Sequence, residues 1–197
     1  MTDWSHNTLA PMTTPVTPKG RRAREALLEA GAEVAERAGV GGLTVAEVVR
    51  TAGLAKGSFY VYFPDREAFI DALHQRFYAR VTDAVLRAVE GMEAGVERVV
   101  AANLAYLDVC LENSGAKALV LETRNQPNLT ETMEDRQAMF AKLAAGDLKA
   151  IGVASPDVTA RMVVAMTSEA SLIELRSGRR NPAARKALRG FIESLGG

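Results

Sequence analysis

Cysteine is almost missing from this sequence: Cys110 stands alone, accompanied by only two histidines, His6 and His74. One thiol permits no intramolecular disulfide, and a Cys/His zinc site cannot be assembled from this set, so no metal and a reducing, cytoplasmic setting are expected. No run of about 18 apolar residues occurs, and the N-terminus lacks the apolar core of a secretory signal. Neither export nor a membrane partner is expected. Charge of one sign is missing too, with 24 Lys+Arg against 24 Asp+Glu in 197 residues, a balance that taken alone argues against a nucleic-acid binder. There is no Ser/His/Asp set, phosphate-binding glycine loop or metal-ligand spacing, so neither an enzyme nor a cofactor is expected.

What is present is ordinary globular material with helical period. At 48% hydrophobic, the chain should bury about 70% of its unfolded surface and needs no staples. Pro11, Pro15 and Pro18 crowd the start, and residues 1–18 read as a flexible arm. A helix is predicted over about 19–38, ended by Gly39, Gly41 and Gly42. Thr44 then reads as an N-cap with Glu47 as capping-box partner and Leu43 with Val48 as hydrophobic staple, opening a short helix over 44–51. Gly53 suits a tight turn, a second short helix runs over 55–62, and Phe63-Pro64 closes it. Asp65 caps a long helix over 65–90. Further helices are expected over 94–112, 115–124, 128–149, 156–177 and 182–195, the last two opened by Ser155-Pro156 and Asn181-Pro182. The fold class is all-α with about nine helices, divided into a helical unit over 19–64, a connecting helix over 65–90 and a second helical unit over 91–197.

Two short helices joined by a glycine turn, behind a third helix, describe a helix-turn-helix. The second of them offers Lys56, Gly57, Ser58 and Tyr60 on the outside, with Phe59 and Phe63 as inward anchors. Small and polar groups of this kind can meet base edges, while flanking donors to phosphate fix the register. Lys19, Arg21, Arg22 and Arg24 form a basic stretch that could neutralise phosphates or serve only for solubility. Residues 1–80 carry 10 basic and 9 acidic groups, so placement rather than net charge must do the steering, with Arg50, Lys56 and Arg66 as the candidate cations.

Residues 44–69, TVAEVVRTAGLAKGSFYVYFPDREAF, resemble the signature of the tetracycline-repressor (TetR/AcrR) family, and the likeness extends over about residues 20–78. The resemblance implies a regulator that binds a double-stranded DNA operator, pairs with itself as a homodimer and answers a small-molecule effector. By position, Thr44 corresponds to the phosphate-contacting cap hydroxyl, and Lys56, Gly57 and Ser58 to the base-facing start of the recognition helix. Tyr60 and Tyr62 correspond to its backbone-contacting aromatics. Arg66 stands where the family commonly has a phosphate-binding lysine, and Asp65 reads as a cap only.

For the C-terminal helices the residues themselves suggest candidates. A pocket for a largely apolar effector could draw on Asn103, Tyr106, Cys110, Met133, Phe140, Met162 and Met166, since methionines adapt to varied apolar ligands. A two-helix dimer face could use Ser168, Leu172, Leu175, Leu188, Phe191, Ile192 and Leu195. Cys110 has no cationic neighbour within a helical turn, so a redox role is not expected, and His74 reads as a surface or interdomain residue.

Overall fold

The computed structural model describes residues 17–123 and 127–196, with the side chains of 127–137 left out of the description. The proposed arm lies outside the described residues up to position 16. Among those described there are nine α-helices and no strand. They are α1 (Pro18–Gly42), α2 (Val45–Thr51), α3 (Lys56–Tyr62), α4 (Arg66–Ala88), α5 (Val96–Glu112), α6 (Ser114–Thr123), α7 (Pro127–Ala150), α8 (Pro156–Ser177) and α9 (Pro182–Glu193). None is long and apolar enough to cross a membrane.

Local chemistry sets most of the boundaries. Thr17 caps α1 by accepting from the Gly20 N–H at 3.1 Å, and Pro18 follows at the first helical turn. Lys19, Arg21, Arg22 and Arg24 are therefore helical residues and not part of an arm; the Arg24 guanidinium stands 5.2 Å from the centre of the Phe63 ring. Gly39, at φ 62°, breaks the helical path where the glycine cluster predicted an end. The Thr44 hydroxyl accepts from the Glu47 N–H at 3.2 Å. The other half of the expected capping box is absent, because the Glu47 carboxylate turns to Arg50 at 2.7 Å and Arg37 at 3.3 Å. Those arginines, the Arg50 hydrogen bond first, hold the Glu47 carboxyl below its usual range.

Three apolar clusters organise the helices. In the first, Leu27, Leu28 and Val34 of α1 meet Leu43 and Val48 of the staple and a triangle of rings, Phe59, Phe63 and Phe69. Those rings lie 4.9–5.5 Å apart, mostly edge to face. The triangle clamps α3 onto α4, and Gly31 makes room for it, since a Cβ there would lie 2.5 Å from the Phe69 ring. A second cluster joins Phe77, Tyr78, Val81 and Val85 of α4 to Val109 and Cys110 of α5 and Val120 of α6. The third gathers α5, α7, α8 and α9 around Leu107, Leu148 and Val163. Helix α4 belongs to both of the first two clusters, so it mechanically links the N-terminal three helices to the rest.

Leu119 of α6 packs into the first cluster, and His74 of α4 is buried against the same helix. The Thr123 hydroxyl donates its single proton to the Leu119 carbonyl at 2.7 Å, so the 2.9 Å contact with His74 Nε2 is a donation from the imidazole. That fixes the tautomer and makes His74 an interdomain tie rather than a surface residue.

Candidate nucleic-acid interface

Helix α3 presents two opposite faces. Phe59 is wholly buried, whereas Tyr60 is 51% and Val61 64% exposed, next to exposed Lys56 and Gly57 and half-buried Ser58. Burial of Phe59 and Phe63 supports the helix from behind, and the exposed Tyr60 ring stands edge-on to Phe59 with centroids 5.4 Å apart. Gly57 carries a specific message. Its backbone is helical, where glycine costs about 0.5–1 kcal/mol relative to alanine, yet a Cβ added there would meet nothing within 4 Å. Apart from its own helix, no described residue lies within 4 Å of that position, so the backbone here is open to close approach from outside. Val61, an exposed apolar side chain beside these groups, was not among the residues the sequence singled out; its exposure on a helix otherwise anchored by aromatics is the signal.

The flanking groups divide. Thr44 is exposed, and because its oxygen accepts from Glu47 N–H its own proton remains free to donate to phosphate. Tyr62 is half-buried against the aromatic cluster. Arg66 is committed elsewhere: its Nε donates to the Leu43 carbonyl at 2.8 Å and its Nη2 to the Val40 carbonyl at 2.6 Å. This ties the start of α4 to the α1–α2 junction. Arg50 is paired with Glu47. Of the three cations expected to steer DNA, only Lys56 makes no ion pair among the described residues and is exposed. Replacing Arg66 with Met should lower stability by roughly 1.5–3 kcal/mol, as expected for two hydrogen bonds from a charged donor, with Lys recovering only part because it lacks the fork. A wild-type urea midpoint for Arg66→Met would show that the brace is idle.

A cavity of about 170 Å³ lies between α4, α5, α6, α7 and α8. Its wall includes Asn103, Tyr106 and Phe140 as expected, together with Tyr78, Val85, Val99, Val120 and Thr167. Cys110 lies behind the wall. Lys117 arrives from α6 to bear on its thiol, a cation that helical spacing alone could not reveal, but burial dominates and pushes the thiol up. Met133 falls outside the described side chains, while Met162 and Met166 point outward on α8, Met162 at 54% exposure. The dimer candidates also shift. Leu188 and Ile192 are core, Ser168 lines the cavity, and Leu172, Leu175, Phe191 and Leu195 are half-buried. The open apolar stripe of α8 is instead Val158, Met162, Met166 and Ile173. A hydrophobic pattern marks which faces are apolar, but both the neighbouring helix and a second subunit can satisfy such a face, and the packing decides between them.

The described helices thus form a helix-turn-helix braced on a cavity-bearing helical body. Residues 27–73 match the family model described as bacterial regulatory proteins, tetR family. The HTH-type transcriptional repressor NemR of Escherichia coli K12 is 43% identical over 56 residues, 28% of this chain and 28% of that protein. The uncharacterized HTH-type transcriptional regulator YvdT of Bacillus subtilis is 30% identical over 69 residues, 35% of this chain and 36% of its own. The chain thus aligns with only about a third or less of these relatives. Solved structures share the fold over nearly the full length. A putative TetR-family regulator from Rhodococcus matches with TM-score 0.79 at 23% identity, covering 89% of this chain and 100% of that one. The reduced form of E. coli NemR matches with TM-score 0.69 at 20% identity, covering 88% and 96%.

Proposed function

We propose that the chain is a homodimeric, ligand-responsive transcriptional repressor whose two α3 helices read successive major grooves of a roughly palindromic operator. The observation that supports this reading is the outward face of α3, where Lys56, Gly57, Tyr60 and Val61 are exposed on a helix locked from behind by Phe59 and Phe63. Pairing through the α8 stripe of Val158, Met162, Met166 and Ile173 would cover apolar side chains otherwise left in water. Adjacent grooves on one face of B-DNA lie about 34 Å apart, so an effector that spreads the two readers loses one half-site.

Helix α4 is the lever. Its first turn holds the α1–α2 junction through Arg66, and its last turns, at Tyr78, Val85 and Leu86, form cavity wall. A tenfold loss of operator affinity needs the effector to prefer the spread state by about 1.4 kcal/mol. On an operator obtained by selection from random duplexes, Lys56→Ala and Tyr60→Ala should each weaken binding at least tenfold in a gel shift, leaving the sedimentation of the dimer unchanged. Both side chains are exposed, so folding should survive. Wild-type retention by both variants would sink the assignment of α3 as the reading helix.

A further inference from the structure

Lys117 is out of place in an apolar wall. It is 3% exposed, it lines the cavity, and its Nζ donates to the Tyr106 hydroxyl at 2.9 Å. No carboxylate among the described residues forms an ion pair with it. A charge taken out of water without a counter-charge is costly, so proteins rarely keep one without a use. The other charges on the wall, Arg98 and Asp147, already meet at 3.6 Å. They also belong to the far end: Arg98 precedes Tyr106 by eight residues on α5, about 12 Å along the helix axis.

Among the described residues the cavity therefore carries a neutral pair at one end and one cation without a paired carboxylate at the other, with Val99, Val120 and Phe140 on its wall. An ammonium has three N–H donors and one is used on Tyr106, which leaves two for an anion. Asn103 donates one amide N–H to the Val99 carbonyl at 2.7 Å and its oxygen lies against the Thr167 hydroxyl, so it brings no charge to the wall. The volume, about 170 Å³, is close to that of the roughly 150 Å³ cavity size known to admit a benzene ring. A single surplus charge balances a monoanion and would leave a dianion such as phosphate half-compensated.

We propose that this cavity binds a small aromatic monocarboxylate, its carboxylate on Lys117 Nζ and its ring against Val99, Val120 and Phe140. Its regulatory meaning rests on the ligand-responsive reading proposed for the chain. Calorimetric titration of the full chain with benzoate and phenylacetate, and with benzamide and phenylacetamide as neutral matches, tests it. The carboxylates should bind at least tenfold more tightly than the amides. Lys117→Met should erase that preference while leaving amide affinity within about threefold, whereas Tyr106→Phe, which keeps the charge, should retain the preference. Equal binding of acid and amide, no carboxylate binding at all, or full carboxylate affinity in folded Lys117→Met would each overturn the proposal. If Lys117→Met does not fold, the acid-against-amide comparison on the wild-type chain decides it. Gel shifts run with the same ligands separate the two readings: carboxylate binding without operator release defeats ligand-responsive repression and leaves the cavity assignment standing. Release of the operator by some other compound, with no carboxylate binding, does the reverse.

Discussion

Arg185→Met should lower the stability of the folded chain by about 3–5 kcal/mol at neutral pH, the usual cost of stranding one partner of a buried ion pair. The stranded partner is Glu174 of α8, 1% exposed. Its carboxylate accepts a fork of two hydrogen bonds from Arg185 of α9, Nε at 2.7 Å and Nη2 at 2.8 Å, and a third from the Asn181 N–H at 2.7 Å. Arg185 Nη1 also lies 2.7 Å from Asp108 of α5, so one guanidinium joins three helices of the C-terminal body.

Acid should expose the same contact. Burial by itself would raise the pKa of Glu174, but the Arg185 bonds, the Asn181 amide and the charges of Arg185 and Arg180 outweigh it and hold the carboxyl below its ordinary value. A folded-state pKa below the unfolded one means that this contribution is complete above the ordinary carboxylate value and is lost as pH falls through the lowered folded value. In Arg185→Met the sign reverses. A buried carboxylate without its guanidinium favours the protonated form, so the deficit against wild type should shrink between pH 7 and about pH 4, near the ordinary glutamate value. Urea midpoints at the two pH values measure this. Arg185→Lys should recover only part of the loss, and adding Glu174→Gln to Arg185→Met should restore much of it. A deficit that does not change with pH would mean that packing of the arginine stem, not the charge pair, carries the effect.

The second large effect is steric. Gly115 of α6 lies against α1 so closely that a Cβ would stand 2.5 Å from Glu36 Cβ and 2.7 Å from both the Ala32 carbonyl oxygen and the Glu36 nitrogen. Backbone cannot rotate away as a side-chain end can. Gly115→Ala should therefore separate the two helices at a cost of about 1–3 kcal/mol, and Gly115→Val should cost more. The neighbouring ties would go with it: Ser114 to Glu36 at 2.7 Å, and the Val40 N–H to Glu122 at 3.0 Å. Because Lys117, Val120 and Leu121 of the cavity wall are on this helix, operator affinity should also respond. Gly146 of α7, where a Cβ would meet nothing, is the control; Gly146→Ala should melt at or slightly above the wild-type temperature. Equal melting temperatures for Gly115→Ala and the wild type would refute the close approach.

The reading helix was legible before any coordinates because its signals are local. A cap hydroxyl at Thr44, a turn glycine at Gly53, inward rings at Phe59 and Phe63 and an X-Pro stop at Phe63-Pro64 each act within a few residues, so their spacing in the chain is their spacing in space. What escaped those local signals has the opposite property. Arg66, read as a phosphate ligand, also braces carbonyls 23 and 26 positions earlier. Glu47 was read as a cap and is drawn off by Arg50 and by Arg37, ten residues away. Met162 and Met166 were read into the pocket and face outward, while Lys117, which no pattern singled out, lines it.

By itself, then, the sequence determined the all-helical fold, its boundaries and the outward face of α3, since helical period, caps and breakers operate within a turn or two of the chain. Only the tertiary structure decided which apolar stripes face a cavity, the core or open solvent. It also decided which of the charges pair off, leaving Lys56 outside and Lys117 inside without a carboxylate partner among the described residues. Those outcomes depend on which helix lies across from which, and the separations involved, 11 residues for Glu174 and Arg185 and 78 for Glu36 and Ser114, are distances that local periodicity cannot reach.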